Sequence, residues 1–332
     1  MAFLQCKSTP WRAFCFSRSR LEEFMKIKVW VPLVALYIVW GSTYLAIRYA
    51  VETIPPFLAA GSRFLISGLI LYIWRRMAGD PLPTSRQWRS TAIVGLLLLV
   101  GGNGMVSWAE QTVPSGIAAL IIGSVPMWMV LIEAIRPGGV KPNWQALLGL
   151  LIGFGGITLL VGPSNLSSGI THLNPFGVGA LLLAAFLWSV GSIYSRSADL
   201  PNSALMTTGM EMLVGCIGLF VVATLTGEWQ PLHLAQVTTR SILGVLYLTA
   251  FGSLVGFVSY AWLLRNASVS LVSTYAYVNP VVAVLLGNWL AAEPLTARVL
   301  TAATIIVGSV ALINTARPGS KSKQAPVLIK DA

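Results

Sequence analysis

Acidic residues are scarce in this sequence: 11 Asp and Glu stand against 22 Lys and Arg, and charged residues make up 10% of the 332 positions. A water-soluble domain carries about one quarter, so this chain cannot clothe a water-facing surface. Cysteine and histidine are scarcer still. Cys6, Cys15 and Cys216 have neither metal-site nor disulfide spacing, and His172 and His233 have no companion ligands. No metal and no cofactor is therefore expected. There is no glycine-rich phosphate loop, no His-Glu metal pair and no nucleophile elbow, which argues against an ATP-driven motor, a metallohydrolase and a serine hydrolase.

In their place stand long apolar runs. Hydrophobic residues make up 55% of the chain, and ten stretches are long enough to cross a hydrocarbon core as helices: 29–49, 55–74, 91–109, 113–132, 144–161, 175–195, 204–226, 240–264, 268–292 and 295–314. They are continuously apolar, whereas barrel strands alternate over about ten residues. The expected fold is an all-α membrane protein with ten transmembrane helices. The chain divides into a tail over 1–28, five helices over 29–161, a polar linker over 162–174, five helices over 175–314 and a basic tail over 315–332. Met25-Lys-Ile-Lys, directly before the first run, reads as a start, and residues 1–24 as an extension ahead of it.

Ten crossings place both termini on one side. With the termini in the cytoplasm, every Lys and Arg lies on that side except Arg48, Arg240 and Arg298, opposite, and Arg63, inside a span. This is the positive-inside pattern. The net charge of +11, which in a soluble chain would point to nucleic acid, here sets orientation.

The two halves repeat each other. Gly104-Met-Val-Ser-Trp-Ala109 is echoed by Gly256-Phe-Val-Ser-Tyr-Ala261, Pro126 by Pro280, Trp40-Gly-Ser-Thr-Tyr44 by Trp188 through Tyr194, and Gly61-Ser-Arg63 by Gly209-Met-Glu211. Five spans per half is an odd number, so the second repeat is expected to be inverted, a plan common among secondary transporters.

Two five-span repeats resemble the EamA family of the drug/metabolite transporter superfamily. The stretch Trp108-Ala-Glu-Gln-Thr-Val-Pro-Ser-Gly-Ile-Ala-Ala-Leu120, with Pro126-Met-Trp128 and Arg136-Pro-Gly-Gly139, is similar to its YedA-like exporter branch. Second repeats of the family often carry a Gly-Glu pair after the ninth span; here the pair is Ala292-Glu293. The resemblance implies an inner-membrane transporter with a central cavity, lined mostly by spans 1, 3, 4, 6, 8 and 9, with spans 5 and 10 behind.

Several residues are candidates for the transport pathway. Arg63 lies in mid-span, where a charge costs at least about 2.5–3.5 kcal/mol; it reads either as a gate or substrate contact or as half of a structural ion pair. Glu211 holds the matching place with opposite charge and is its candidate partner. Glu110 reads as a cavity-mouth carboxylate for a cation or proton, or as a solvated loop residue. Glu133 reads as a packing group. Trp40, Tyr44, Trp108, Trp188, Tyr194, Tyr260, Tyr275 and Tyr277 offer aromatic faces for a solute, or serve as belt and packing residues. Asn103, Asn279, Ser273 and neighbouring hydroxyls offer neutral hydrogen bonds, or bridge helices. Pro126 and Pro280 each remove a backbone hydrogen bond and are expected to kink their helices. Gly149 and Gly153 form a small-residue surface for close packing.

These readings converge on a secondary active transporter, not an enzyme, that exports a small metabolite or drug by alternating access. Its partners are that solute, the bilayer and protons, with no nucleic acid. A facilitative carrier or pore without proton coupling is the alternative, and a membrane-embedded enzyme the more distant one.

Overall fold

Local punctuation fixes where the helices start. In the computed structural model, which describes residues 18–137, 139, 141–162, 173–267, 269–272 and 274–316, Asn143, Asn174, Ser203 and Thr238 each accept a hydrogen bond from a backbone N–H two or three residues on. Side-chain oxygens at this position satisfy donors that the first helical turn leaves unpaired. The helices so defined are α1 (Arg18–Ala50), α2 (Pro56–Met77), α3 (Ser85–Ala109), α4 (Ser115–Ile135), α5 (Trp144–Val161), α6 (Pro175–Ser195), α7 (Ala204–Leu225), α8 (Thr239–Leu263), α9 (Tyr275–Ala291) and α10 (Ala297–Ala316). No strand occurs among the described residues. Residues 1–17 and 317–332, and with them most of the expectation about residues 1–24, lie outside the described residues, as do His172 and Ser273.

Among the described residues, nine of the helices are long and apolar enough to cross a membrane. The ninth apolar run differs from its expected 268–292: a single helical turn, Val269–Val272, precedes an apolar α9 of 17 residues. The two prolines also differ. Pro126 stands at the start of the second segment of α4, after turn residues Gly123 and Ser124, whereas Pro280 lies inside α9.

The closest packing joins α2 to α7 and α5 to α10. In the second pair, a Cβ on Gly153 would stand 2.6 Å from Ser309 Oγ, so only glycine allows that approach. α1 packs on α8 and α9, and α6 on α3 and α4. Exchanging the halves α1–α5 and α6–α10 turns the pairings of α1 into those of α6 and leaves α2–α7 and α5–α10 as they are.

The connections sort onto two faces. Glu52 in the α1–α2 link pairs with Arg240 of α8 at 3.4 Å. The Tyr49 hydroxyl donates to the Leu290 carbonyl at 3.0 Å, and Thr53 donates to Ser241 at 2.8 Å. The ends of α1 and α9 and the start of α8 thus lie together on what we term the distal face. On the opposite, terminal face, Glu133 of α4 forms ion pairs with Arg136 and Arg196 at 3.9 and 3.7 Å.

Candidate functional site

Between the halves lies a cavity with about 880 Å³ of empty space, counting the part open to solvent. α1, α3, α4, α6, α8 and α9 line it, and Arg63 enters from α2; α5 and α10 contribute nothing. Its long walls are aromatic: Trp40, Tyr44, Trp188, Phe257 and Tyr275. Trp40 is fixed at its core, with ring centroids 5.2–5.3 Å from Phe257, Tyr260 and Tyr275, and its indole N–H donates to the Gly252 carbonyl at 3.2 Å.

Two glycines seat the tryptophans in matching fashion. A Cβ on Gly102 would lie 2.8 Å from Trp188, and one on Gly256 would lie 2.3 Å from Trp40. These glycines lie in or directly after π-helical stretches, Leu96–Gly104 in α3 and Leu248–Val255 in α8. A π turn adds a residue to the helix and recurs at functional sites. Here the two stretches occupy equivalent places in the repeat and bring the helix backbones against the tryptophans.

Of the residues expected on the pathway, Trp40, Tyr44, Arg63, Asn103, Trp188, Tyr275, Asn279 and Pro280 line the cavity. Others do not. Tyr260 stands behind Trp40. Tyr194 packs against the apolar cluster of α2, α3 and α7 without reaching the cavity lining, and Trp108 is exposed away from it. Pro126 is buried, but its neighbour Val125 reaches the cavity instead. Glu110, expected at a mouth, is buried at 2% exposure, and neither carboxylate oxygen has a hydrogen-bond partner.

Arg63 and Glu211, read as either an ion pair or two cavity residues, form no ion pair among the described residues, and only Arg63 lines the cavity. Arg63 is 3% exposed, and its Nη2 donates to Asn103 Oδ1 at 2.7 Å. Its guanidinium lies 4.3 Å from the Phe64 ring centroid, and Nε has no partner. Glu211 sits where α7 crosses α3, its backbone against Gly95. α2 and α7 pack side by side, yet no ion pair joins these two side chains among the described residues.

The distal face holds carboxylates whose roles were not evident in the sequence. Glu293 accepts from Ser115 N–H at 2.7 Å, Ser115 Oγ–H at 2.8 Å and Gly116 N–H at 3.0 Å, and Arg48 Nη1 lies 3.5 Å away. It closes the N-terminus of α4, where unpaired N–H groups and the helix dipole favour an anion. Glu228 does the same for α2, accepting from Phe57 and Leu58 N–H at 3.0 and 3.2 Å. Burial pushes the Glu228 carboxyl above its ordinary value, against the opposing pull of those two N–H groups. The signal for both was a Glu directly after the residue that ends an apolar run: Gly227-Glu228 and Ala292-Glu293. Among the described residues no three His, Cys, Asp or Glu side chains gather as a metal set would require.

The chain matches the EamA-like transporter family over residues 28–162 and 175–315. It is 40% identical to the uncharacterized inner membrane transporter YedA of Escherichia coli strain K12, over 85% of this chain and 89% of that protein. It is 24% identical to the uncharacterized transporter YvbV of Bacillus subtilis, over 91% and 96% of the two chains. A solved crystal structure shares the fold with a TM-score of 0.60 at 21% identity, covering 86% of this chain and 96% of that one. Two matched segments that together span most of the sequence, wrapped around one aromatic cavity, make this chain a member of the EamA-like transporter family.

Proposed function

We propose that this protein is a multi-pass inner-membrane carrier that exports a small solute by alternating access, with both termini in the cytoplasm and its two five-helix repeats inverted. It is a transporter and not an enzyme. The observation that carries this reading is the position of the cavity. It is enclosed by matching helices of both halves, while cross-half contacts tie the distal face together. A rocking motion of one half against the other needs such a site on the line between them. The tied distal face corresponds to a state with the periplasmic side shut. The positive-inside distribution supports the orientation, the exchangeable helix pairings support the repeat, and the name of the relative YedA supports the inner membrane.

Protons are the proposed coupling ion, and buried Glu110, without a hydrogen-bond partner, is the group to carry one. Protein reconstituted in liposomes and preloaded with an unlabelled metabolite extract should show saturable exchange with an isotope-labelled extract. Exchange that never saturates would point to a pore. Net transport unchanged by collapse of the proton gradient would reject the coupling while leaving the carrier intact.

A further inference from the structure

The cavity's charge balance is unusual. Arg63 is the one charged side chain among the residues that line it. It is nine-tenths or more buried, yet no carboxylate among the described residues pairs with it, and a neutral amide oxygen takes its Nη2 proton. Its Nε–H has no acceptor, and Ser253 Oγ, 1% exposed and lining the same cavity, has no partner either. Leaving a buried cation without a direct carboxylate partner and with unmade hydrogen bonds is expensive. Glu110 acts on Arg63 through space, but it makes no ion pair with it and lies outside the cavity lining, so the cavity side of the guanidinium and the Ser253 hydroxyl stay unsatisfied.

From this we infer that the cavity takes small monoanions: a carboxylate bound at Arg63, beside Asn103 and Ser253, carried on a flat aromatic or apolar body that lies against Trp40, Trp188 and Phe257. The inference rests on the carrier reading and names its substrate class. The guanidinium offers a planar fork that matches a carboxylate. A phosphomonoester dianion is disfavoured, because one cation leaves a second negative charge unpaired in an apolar chamber. Cations and zwitterionic amino acids are disfavoured as well. The aromatic walls attract cations, but Arg63 repels them, and no lining carboxylate receives an ammonium group.

The test uses the full chain in nanodiscs with three probes on one aromatic ring: benzoate, its isostere benzamide, and benzylammonium. Binding is read by quenching of tryptophan fluorescence and by equilibrium dialysis. Benzoate should bind at least about tenfold tighter than benzamide, the scale of one charge-assisted hydrogen bond, and benzylammonium weakest. Arg63→Gln should erase the preference for benzoate over benzamide. Asn103→Asp, which supplies Arg63 with an internal carboxylate and so removes the burial problem that could unfold Arg63→Gln, should erase it too. Equal binding of benzoate and benzamide by the unaltered protein would overturn the inference, as would a benzoate preference that survives Asn103→Asp. Benzoate exchange across liposomes separates this outcome from the carrier reading. Selective binding without exchange counts against the carrier and keeps the anion site. Exchange of benzylammonium but not benzoate keeps the carrier and discards the anion site.

Discussion

Two clasps on the distal face share one design and differ in depth. In the first, α7 ends, Gly227 turns the chain with φ 74°, and Glu228 reaches the N-terminus of α2. In the second, α9 ends, Ala292 turns the chain with φ 51°, and Glu293 reaches the N-terminus of α4. Glu228 remains half-buried with two N–H donors and no arginine. Glu293 is buried at 8% exposure with two N–H donors, a hydroxyl and Arg48. The difference shows how many partners an ion needs before it can be buried deeply. It also shows the conformational demand of the turn. Ala292 holds the left-handed backbone that glycine adopts without strain.

The comparison can be broken most severely at Glu293. Glu293→Ala strips α4 of its cap and removes three charge-assisted hydrogen bonds, and is expected to cost about 2–4 kcal/mol. SDS-titrated unfolding in mixed micelles would measure it. Glu228→Ala should cost less, about 1–2 kcal/mol, because water already shares that site; a cost equal to that of Glu293→Ala would show that depth is not what separates the two clasps. Exchanging the turn residues sharpens the contrast. Ala292→Gly should stabilise the protein by about 1 kcal/mol, and Gly227→Ala should destabilise it by a similar amount, read as opposite shifts in the same titration.

The smallest effect is a pH slope. Burial raises the Glu228 carboxyl in the folded protein, so the folded state holds its proton more tightly than the unfolded chain does. The associated stability is fully present below the ordinary Glu value and is lost as pH rises through the raised one. Glu228→Gln should flatten that part of the stability-against-pH curve, measured at fixed detergent composition.

The helices were largely legible in the sequence because hydrocarbon thickness imposes a length and punctuation residues mark the ends: 144–161 and 175–195 are helical from end to end. The shortening of α9 was not legible, since Val269–Val272 forms a helical turn of its own and α9 begins only at Tyr275. The cavity was legible at the level of helices and of Trp40, Tyr44, Arg63 and Trp188, whose residue types are costly or bulky enough to require a purpose. Phe257 and Ser253 were missed because nothing in an apolar span says which face turns inward. The Arg63–Glu211 pairing failed for a related reason: equivalence in a repeat gives corresponding positions, and only three-dimensional placement says whether they touch. Glu110 was misplaced because a carboxylate at a span end ordinarily stays in water, whereas here α3 carries it into the packed interior.

The π-helical stretches in α3 and α8 carry one further consequence, for anyone mapping these helices by chemical labelling. A helical wheel drawn through Ser85–Ala109 assumes one constant rotation of about 100° per residue. Across Leu96–Gly104 that assumption slips by the extra residue of the wide turn. Reactivity of cysteines introduced one at a time along α3 should follow one phase as far as Gly95 and resume out of step after Gly104. The same slip should recur in α8 between Tyr247 and Gly256, so that each of these two walls carries one dislocation in its helical lattice.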